Sequence, residues 1–122
     1  MSLKNPYQAY QTQSVVTSRT EDLTYLLYQG LIKFIRLSKV ALEQNNIEES
    51  NRNNLRAQDI LTELMVTLKP GFEISQPMMT LYDFMKSRLI SANIEKNIAF
   101  LEEVEGLAED MAETWKQATD RN

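Results

Sequence analysis

Three glutamates in the last third of the chain have the spacing that most resembles a catalytic pair. Glu102, Glu103 and Glu105 lie within four positions, and neighbouring carboxylates can act as general acid and general base. The periodicity of this segment, however, places its acidic side chains opposite the apolar stripe of a predicted helix. We therefore interpret these carboxylates as a solvated helix face and predict that they are not catalytic.

The rest of the chain offers little further chemistry, because it contains no histidine and no cysteine. Nucleophilic sites lack their usual base or thiol, and a di-iron bundle site would need Glu-x-x-His pairs. No phosphate-binding or dinucleotide-binding glycine pattern is present. We predict no catalytic residue, no metal and no cofactor, and hence a protein that is not an enzyme.

Charge and hydropathy limit which classes of partner and which cell compartment are expected for this chain. The net charge of −4 argues against a nucleic acid, since phosphate binding needs a basic surface. No apolar run approaches the roughly 20 residues of a membrane span, and no signal-peptide pattern opens the chain. The absence of cysteine fits a reducing compartment. We expect a soluble cytoplasmic protein with no membrane insertion.

Four segments with helical periodicity follow a polar N-terminal arm. The 122 residues are predicted to form one all-α domain, an antiparallel four-helix bundle in which the arm or a short helix caps a hydrophobic groove. The arm spans residues 1–17, and the helices span about 19–44, 47–68, 76–92 and 95–119.

Polar side chains at fixed offsets indicate where three of these helices begin. Ser18 with Glu21, and Asn46 with Glu49, match the capping-box pattern in which each partner bonds the other's backbone N–H. Ser75 is predicted to cap the third helix through its hydroxyl.

Gly30 and Gly106 lie inside helical patterns. A glycine there costs about 1 kcal/mol relative to alanine. We expect close approach of a neighbouring helix or an aromatic ring at both positions.

The first and third helices carry more apolar side chains than a bundle core requires, which is about three positions in seven. Methionine suits a surface that must accommodate a partner, and large exposed apolar patches mark interaction sites. A plain core is the alternative interpretation. We predict a partner-binding groove formed by Leu23, Leu27, Leu31, Met65, Leu68, Met78, Met79, Tyr82 and Met85.

The N-terminal arm carries isolated apolar side chains on a polar segment. Tyr7, Tyr10 and Val15 could dock in the groove and be displaced by a tighter ligand. A fixed extension with packed tyrosines explains the same residues equally well.

Several ordered segments also match a known family. They are residues 5–10 (NPYQAY), 23–35 (LTYLLYQGLIKFI), 57–64 (AQDILTEL), 81–84 (LYDF), 88–93 (RLISAN) and 101–104 (LEEV), followed by Trp115. In this order and spacing the chain resembles FliS, the flagellin-specific export chaperone family of bacterial flagella. Gln29 stands where the family often has an acidic residue, and Arg19 lies near a frequent proline.

The resemblance implies a function that periodicity could not supply. Members of this family are antiparallel helical bundles that bind the disordered C-terminal segment of flagellin in the cytoplasm. They prevent its premature polymerisation and support its delivery to the flagellar type III export apparatus. Their N-terminal arm occupies a groove that flagellin takes over. An export-gate component, an anti-sigma factor and a co-chaperone are further candidate partners.

Two other hypotheses remain at this stage. A structural or regulatory bundle could use its surplus apolar face to form a weak homodimer. An enzyme is the third hypothesis, and the residue inventory argues against it.

Overall fold

Four α-helices account for nearly all of the structure. The structure is a computed structural model that describes residues 20–69, 71 and 73–119. The helices are α1 Thr20–Glu43, α2 Ile47–Thr67, α3 Ser75–Glu95 and α4 Ile98–Thr119. The described ranges contain no strand. The predicted all-α fold is confirmed, while the arm and Ser18 lie outside the described residues.

The helices form an antiparallel bundle in which α1 packs against α2 and α4, and α3 completes the ring between them. Ion pairs between α1 and α4 show their relative direction. Arg36 lies 2.7 Å from Glu105, and Lys39, further along α1, lies 3.8 Å from Glu102, which is earlier in α4. Short connections at residues 44–46 and 96–97 give the other two antiparallel pairs.

The core is formed by apolar residues spaced three and four apart on each helix. On α1, for example, Leu27, Leu31 and Ile35 are at most 1% exposed. This spacing puts side chains on one helix face, so four such faces can enclose a continuous interior. Burial of each leucine or isoleucine contributes about 1.5–3 kcal/mol to folding. The fully buried side chains of the other helices include Ala57, Leu61, Leu64, Met85, Leu89, Val104 and Ala108.

One half of the predicted capping box at the start of α2 is present. The Asn46 side chain accepts a hydrogen bond from the Glu49 backbone N–H at 3.2 Å. The backbone N–H of Asn46 donates to the Ala41 carbonyl at 2.8 Å. Glu49 is therefore not needed for the reciprocal bond, and its carboxylate pairs with Arg52.

The predicted serine cap of α3 was wrong. Ser75 is the first helical residue, and Ile74 stands at the cap position without a side-chain hydrogen bond. The Ser75 hydroxyl instead donates to the Lys69 carbonyl at 2.6 Å. It thus closes the α2–α3 connection rather than satisfying the N-terminus of α3.

The connection between α3 and α4 lies later in the chain than predicted. Helix α3 continues three residues past 92 and ends at Glu95, and the next residue, Lys96, has a left-handed φ of 55°. The Asn97 side chain then accepts from the Phe100 backbone N–H at 3.1 Å. An asparagine in this position is a normal helix N-cap, so α4 begins at Ile98.

Gly106 lies on α4 without the close contact that the sequence led us to expect. A Cβ atom built at this position meets no other atom within 4 Å. The packing explanation for Gly106 was therefore wrong.

Candidate partner-binding site

The two ends of the bundle differ in the side chains that line them. At one end α1 and α3 begin while α2 and α4 finish, and several predicted groove residues lie there half-buried. We call this region the methionine end, defined by Leu23, Met65, Leu68, Met78 and Met79. Three of the five also pack against the core cluster. The rim of this end is therefore continuous with the core but remains partly exposed.

The other four predicted groove residues lie in the core. Leu27, Leu31, Tyr82 and Met85 are 0–2% exposed. Side chains with so little free surface do not line an open groove in this structure, and the assignment of these four residues to the groove stays a prediction. They share their helical stripes with the rim residues but lie further inside the bundle. The predicted arm residues Tyr7, Tyr10 and Val15 lie outside the described residues.

Two buried tyrosines and a tryptophan lie beneath the methionine end. The hydroxyl oxygens of Tyr28 and Tyr82 are 2.8 Å apart and share a hydrogen bond. The ring of Trp115 meets that of Tyr28 edge to face, with centroids 6.0 Å apart and planes at 80°. Such aromatic pairs contribute about 0.5–1.5 kcal/mol beyond their burial.

This tyrosine pair connects α1 to α3, which are not neighbours in the ring of helices. It therefore fixes the distance across the bundle under the methionine end. Burial raises the pKa of both hydroxyls, since it disfavours the phenolate. Both tyrosines are thus neutral hydrogen-bonding groups near neutral pH. The sequence analysis did not single out Tyr28, although an aromatic ring with a polar tip in an apolar stripe is the expected signal.

The opposite half of the bundle is held by buried polar groups. We call it the hydrogen-bonded end, defined by Ser38, Ser50, Asn54 and Gln58. Ser38 and Ser50 each donate a hydroxyl to the other's backbone carbonyl at 2.9 Å. These bonds join α1 to α2 close to their connecting turn.

The same polar layer continues from α2 to α3. The Asn54 amide nitrogen donates to the Leu89 carbonyl at 3.0 Å, and Gln58 donates to the Asn54 side-chain oxygen at 2.7 Å. Both side chains are at least nine-tenths buried. Hydrogen bonds are directional, so each one is satisfied in only one register of these helices.

The carboxylates first considered for acid–base chemistry take part in ion pairs between helices. Glu105 accepts from Arg36 at 2.7 Å and from Lys39 at 3.1 Å. Burial alone would raise the pKa of Glu105, but the hydrogen bonds from these two cations outweigh it and lower the pKa. Arg36 also pairs with Glu109. Glu105 is therefore an ionised structural group, so describing this face as merely solvated was wrong for that residue.

The described residues offer no metal site and no membrane span. Among them, no three acidic, histidine or cysteine side chains are grouped so as to hold a metal ion. None of the helices described is long and apolar enough to cross a membrane. At the methionine end, the structure has a half-buried apolar rim above the hydrogen-bonded tyrosine pair.

Comparison with known proteins gives a consistent family. The family model described as flagellar protein FliS matches residues 3–122. The chain is 45% identical over 118 residues to the flagellar secretion chaperone FliS of Bacillus subtilis strain 168, covering 97% of this chain and 89% of that protein. It is 29% identical over 107 residues to FliS of Salmonella typhimurium strain LT2, covering 85% and 79%.

A solved structure confirms the architecture. It is described as a crystal structure of a flagellar chaperone from bacteria, with a TM-score of 0.79 over 97% of this chain and 100% of that one. At 16% identity this similarity establishes the fold alone. The sequence relatives establish the rest: this chain belongs to the FliS family of flagellar secretion chaperones and is not an enzyme.

Proposed function

We propose that this protein is a cytoplasmic export chaperone for flagellin. It binds the disordered C-terminal segment of flagellin, prevents premature polymerisation and supports delivery to the flagellar type III export apparatus. The observation that carries this proposal is the half-buried apolar rim of the methionine end on a chain of the FliS family.

The methionine end has the side chains that such a ligand requires. A segment that packs its apolar stripe against other flagellin subunits in the filament has no partner before export. Met65, Met78 and Met79 are unbranched and polarizable, so they can adapt to leucine, valine or alanine side chains along that stripe. Leu23 and Leu68 extend the rim onto α1 and the α2–α3 connection.

The tyrosine pair supports the same function from below. Because Tyr28 and Tyr82 are held by a mutual hydrogen bond and by Trp115, the floor of the site is rigid while its rim is adaptable. Ordering a disordered segment costs about 2–5 kcal/mol of the gross interaction. A preorganised floor lowers the part of that cost that falls on the chaperone. A hold of this kind needs no nucleotide.

We further propose that the arm residues Tyr7, Tyr10 and Val15 cover the apolar rim in the free protein and leave it when flagellin binds. An arm that covers apolar surface keeps the unliganded chaperone from self-association.

The test is calorimetric titration of the full chain with the last ~40 residues of the cognate flagellin, a length that spans the bundle at about 1.5 Å per helical residue. Met65→Glu should weaken binding at least tenfold, because a charge replaces an apolar contact. Val40→Glu is the matched control, since Val40 is 45% exposed on α1 towards the other end of the bundle.

Loss of binding with the Met65 variant and retention with the Val40 variant would support the proposal. It is rejected if the wild-type chain fails to bind the segment at micromolar concentration. If both variants lose affinity equally, the methionine end is not the specific binding site for the flagellin segment.

A further inference from the structure

All the sulfur atoms of this chain are thioethers, and the fold sorts them by exposure. The sequence has six methionines and no cysteine. The core residue Met85 is 0% exposed, whereas Met65, Met78 and Met79 are partly exposed at the methionine end. A small oxidant in solution can therefore reach the side chains of the rim without reaching that of the core.

The three rim methionines belong to one junction of the fold. Met65 lies in the last turn of α2, and Met78 and Met79 lie near the start of α3. The hydrogen bond from the Ser75 hydroxyl to the Lys69 carbonyl, at 2.6 Å, closes the connection between these two helices. Met65 and Met78 also pack against the same core cluster. A reagent that modifies these thioethers therefore changes one region of the surface.

A hydroperoxide oxidises a methionine thioether in a single two-electron step. The sulfur lone pair attacks one peroxide oxygen, so that an S–O bond forms and the O–O bond breaks. With hydrogen peroxide, the proton of the transferred oxygen passes to the departing hydroxide, and the products are methionine sulfoxide and water. The reaction converts a flexible apolar side chain into a polar one, and methionine sulfoxide reductases reverse it.

The position of these residues separates the effect of oxidation on binding from its effect on the fold. A sulfoxide oxygen in the core would be buried without a hydrogen-bond partner, which is costly. At the partly exposed rim the same oxygen can remain hydrated in the free protein. It would lose that hydration when an apolar segment covers the rim. Oxidation should therefore destabilise the complex more than the bundle.

We propose that Met65, Met78 and Met79 form a site of reversible oxidation by hydroperoxides, and that their sulfoxides weaken binding of the flagellin segment. The second part rests on the proposed function, because it takes that segment as the ligand that covers the rim. With no cysteine in the chain, oxidation at sulfur can act only through thioethers.

The first experiment measures where the full chain is oxidised. The chain is treated with increasing hydrogen peroxide, and peptide mass spectrometry quantifies the sulfoxide at each methionine. Met65, Met78 and Met79 should be oxidised at least about tenfold faster than Met85, because the core side chain is reached only when the bundle opens. Circular dichroism of the same samples should show that the helices are retained.

The second experiment measures binding after the peroxide is removed. The affinity for the flagellin segment should fall about tenfold or more, because a polar oxygen loses its water against an apolar ligand. Treatment with the two classes of methionine sulfoxide reductase should restore the affinity, since the modification is reversible.

Two variants assign the effect to particular residues. Met65→Leu/Met78→Leu/Met79→Leu removes the rim thioethers, so its affinity, whatever its starting value, should not change on peroxide treatment. Met111→Leu is the matched control, because Met111 is partly exposed on α4 but does not belong to the methionine end. This control should lose affinity on treatment as the wild type does. Leucine is close to methionine in volume, so both variants should fold.

Four outcomes would overturn the proposal while the untreated wild type still binds, which leaves the proposed function standing. They are oxidation of Met85 as fast as the rim, equal affinity of the treated and untreated chains, no recovery with the reductases, and peroxide sensitivity of the triple variant. If the untreated chain does not bind the segment, the proposed function fails together with the effect on binding. Faster oxidation of the rim would then still support the modification site.

Discussion

The methionine end and the hydrogen-bonded end hold the same four helices together by different means. Towards the hydrogen-bonded end, buried hydroxyl and amide groups join α1 to α2 and α2 to α3. At the methionine end, flexible apolar side chains lie half-buried around a tyrosine pair. The hydrogen-bonded end thus relies on directional contacts between helices, whereas the rim of the methionine end relies on apolar contacts that depend little on orientation.

The two kinds of contact differ in how strongly their energy depends on orientation. A hydrogen bond between Ser38 and Ser50 weakens steeply when its geometry changes, and an unsatisfied buried partner is costly. Burial of apolar area depends little on orientation, so methionine side chains can exchange one neighbour for another. Under the proposed function, binding of an extended segment would draw on both properties, and this bundle separates them along its axis.

The largest effect that would test this comparison is expected at Asn54. Asn54→Ala removes the donor to the Leu89 carbonyl and leaves the Gln58 amide without its acceptor. We expect the free energy of unfolding to fall by about 2–3 kcal/mol. Met78→Ala, at a half-buried position, should cost about 1 kcal/mol or less. Urea unfolding followed by circular dichroism measures both.

If Met78→Ala destabilises the protein as much as Asn54→Ala, the two ends do not differ in the way described. For the affinity of the flagellin segment we expect the reverse ranking. The affinity should fall in the Met78→Ala variant and be retained in the folded Asn54→Ala variant.

A smaller effect is expected from the tyrosine pair. Tyr28→Phe and Tyr82→Phe each leave one buried hydroxyl without its partner, so each should lower the free energy of unfolding by about 1–2 kcal/mol. The double variant should cost less than the sum of the single ones, because no orphan hydroxyl remains. Equilibrium unfolding followed by Trp115 fluorescence measures the cycle; strictly additive values would contradict a direct hydrogen bond.

The smallest effect is expected at the ion pairs of Glu105. Its pKa is lowered in the folded state, so its stabilisation is present above the unfolded value of about 4.3 and is lost as the pH falls through the folded pKa. Wild type should therefore lose more stability than Glu105→Gln between neutral pH and about pH 3.

The matched control for this pH experiment is Glu113→Gln. The Glu113 carboxylate accepts from Gln117 on its own helix and forms no ion pair within the described residues. Its variant should keep the wild-type loss of stability at low pH. If Glu105→Gln also keeps the wild-type loss of stability at low pH, the ion pairs of Glu105 do not stabilise the contact between α1 and α4.

The groove prediction shows where sequence reasoning reached its limit. Leu23, Leu27 and Leu31 lie on one stripe with the same periodicity, yet the first is half-buried and the other two are in the core. Periodicity identifies the face of a helix but not how far along it the neighbouring helices extend. The difference between rim and core is set by where α2 ends and α3 begins, which is a property of the assembled bundle.

The helix caps show a similar limit over a shorter range. Asn46 was predicted correctly because its capping bond joins residues three apart in the chain. Ser75 was not, because its hydroxyl bonds a carbonyl six residues earlier, across the α2–α3 connection. A local pattern predicts a local bond, and a bond across a turn depends on the path of the backbone.

By itself the sequence determined that this chain is all-helical, contains no histidine and no cysteine, and resembles FliS in ordered segments along its length. Helical periodicity and residue chemistry are local, so they can be read without coordinates. Only the tertiary structure decided which apolar residues form the rim, and it alone paired Tyr28 with Tyr82 and Glu105 with Arg36. These contacts join residues more than fifty positions apart, and packing of whole helices is what brings them together.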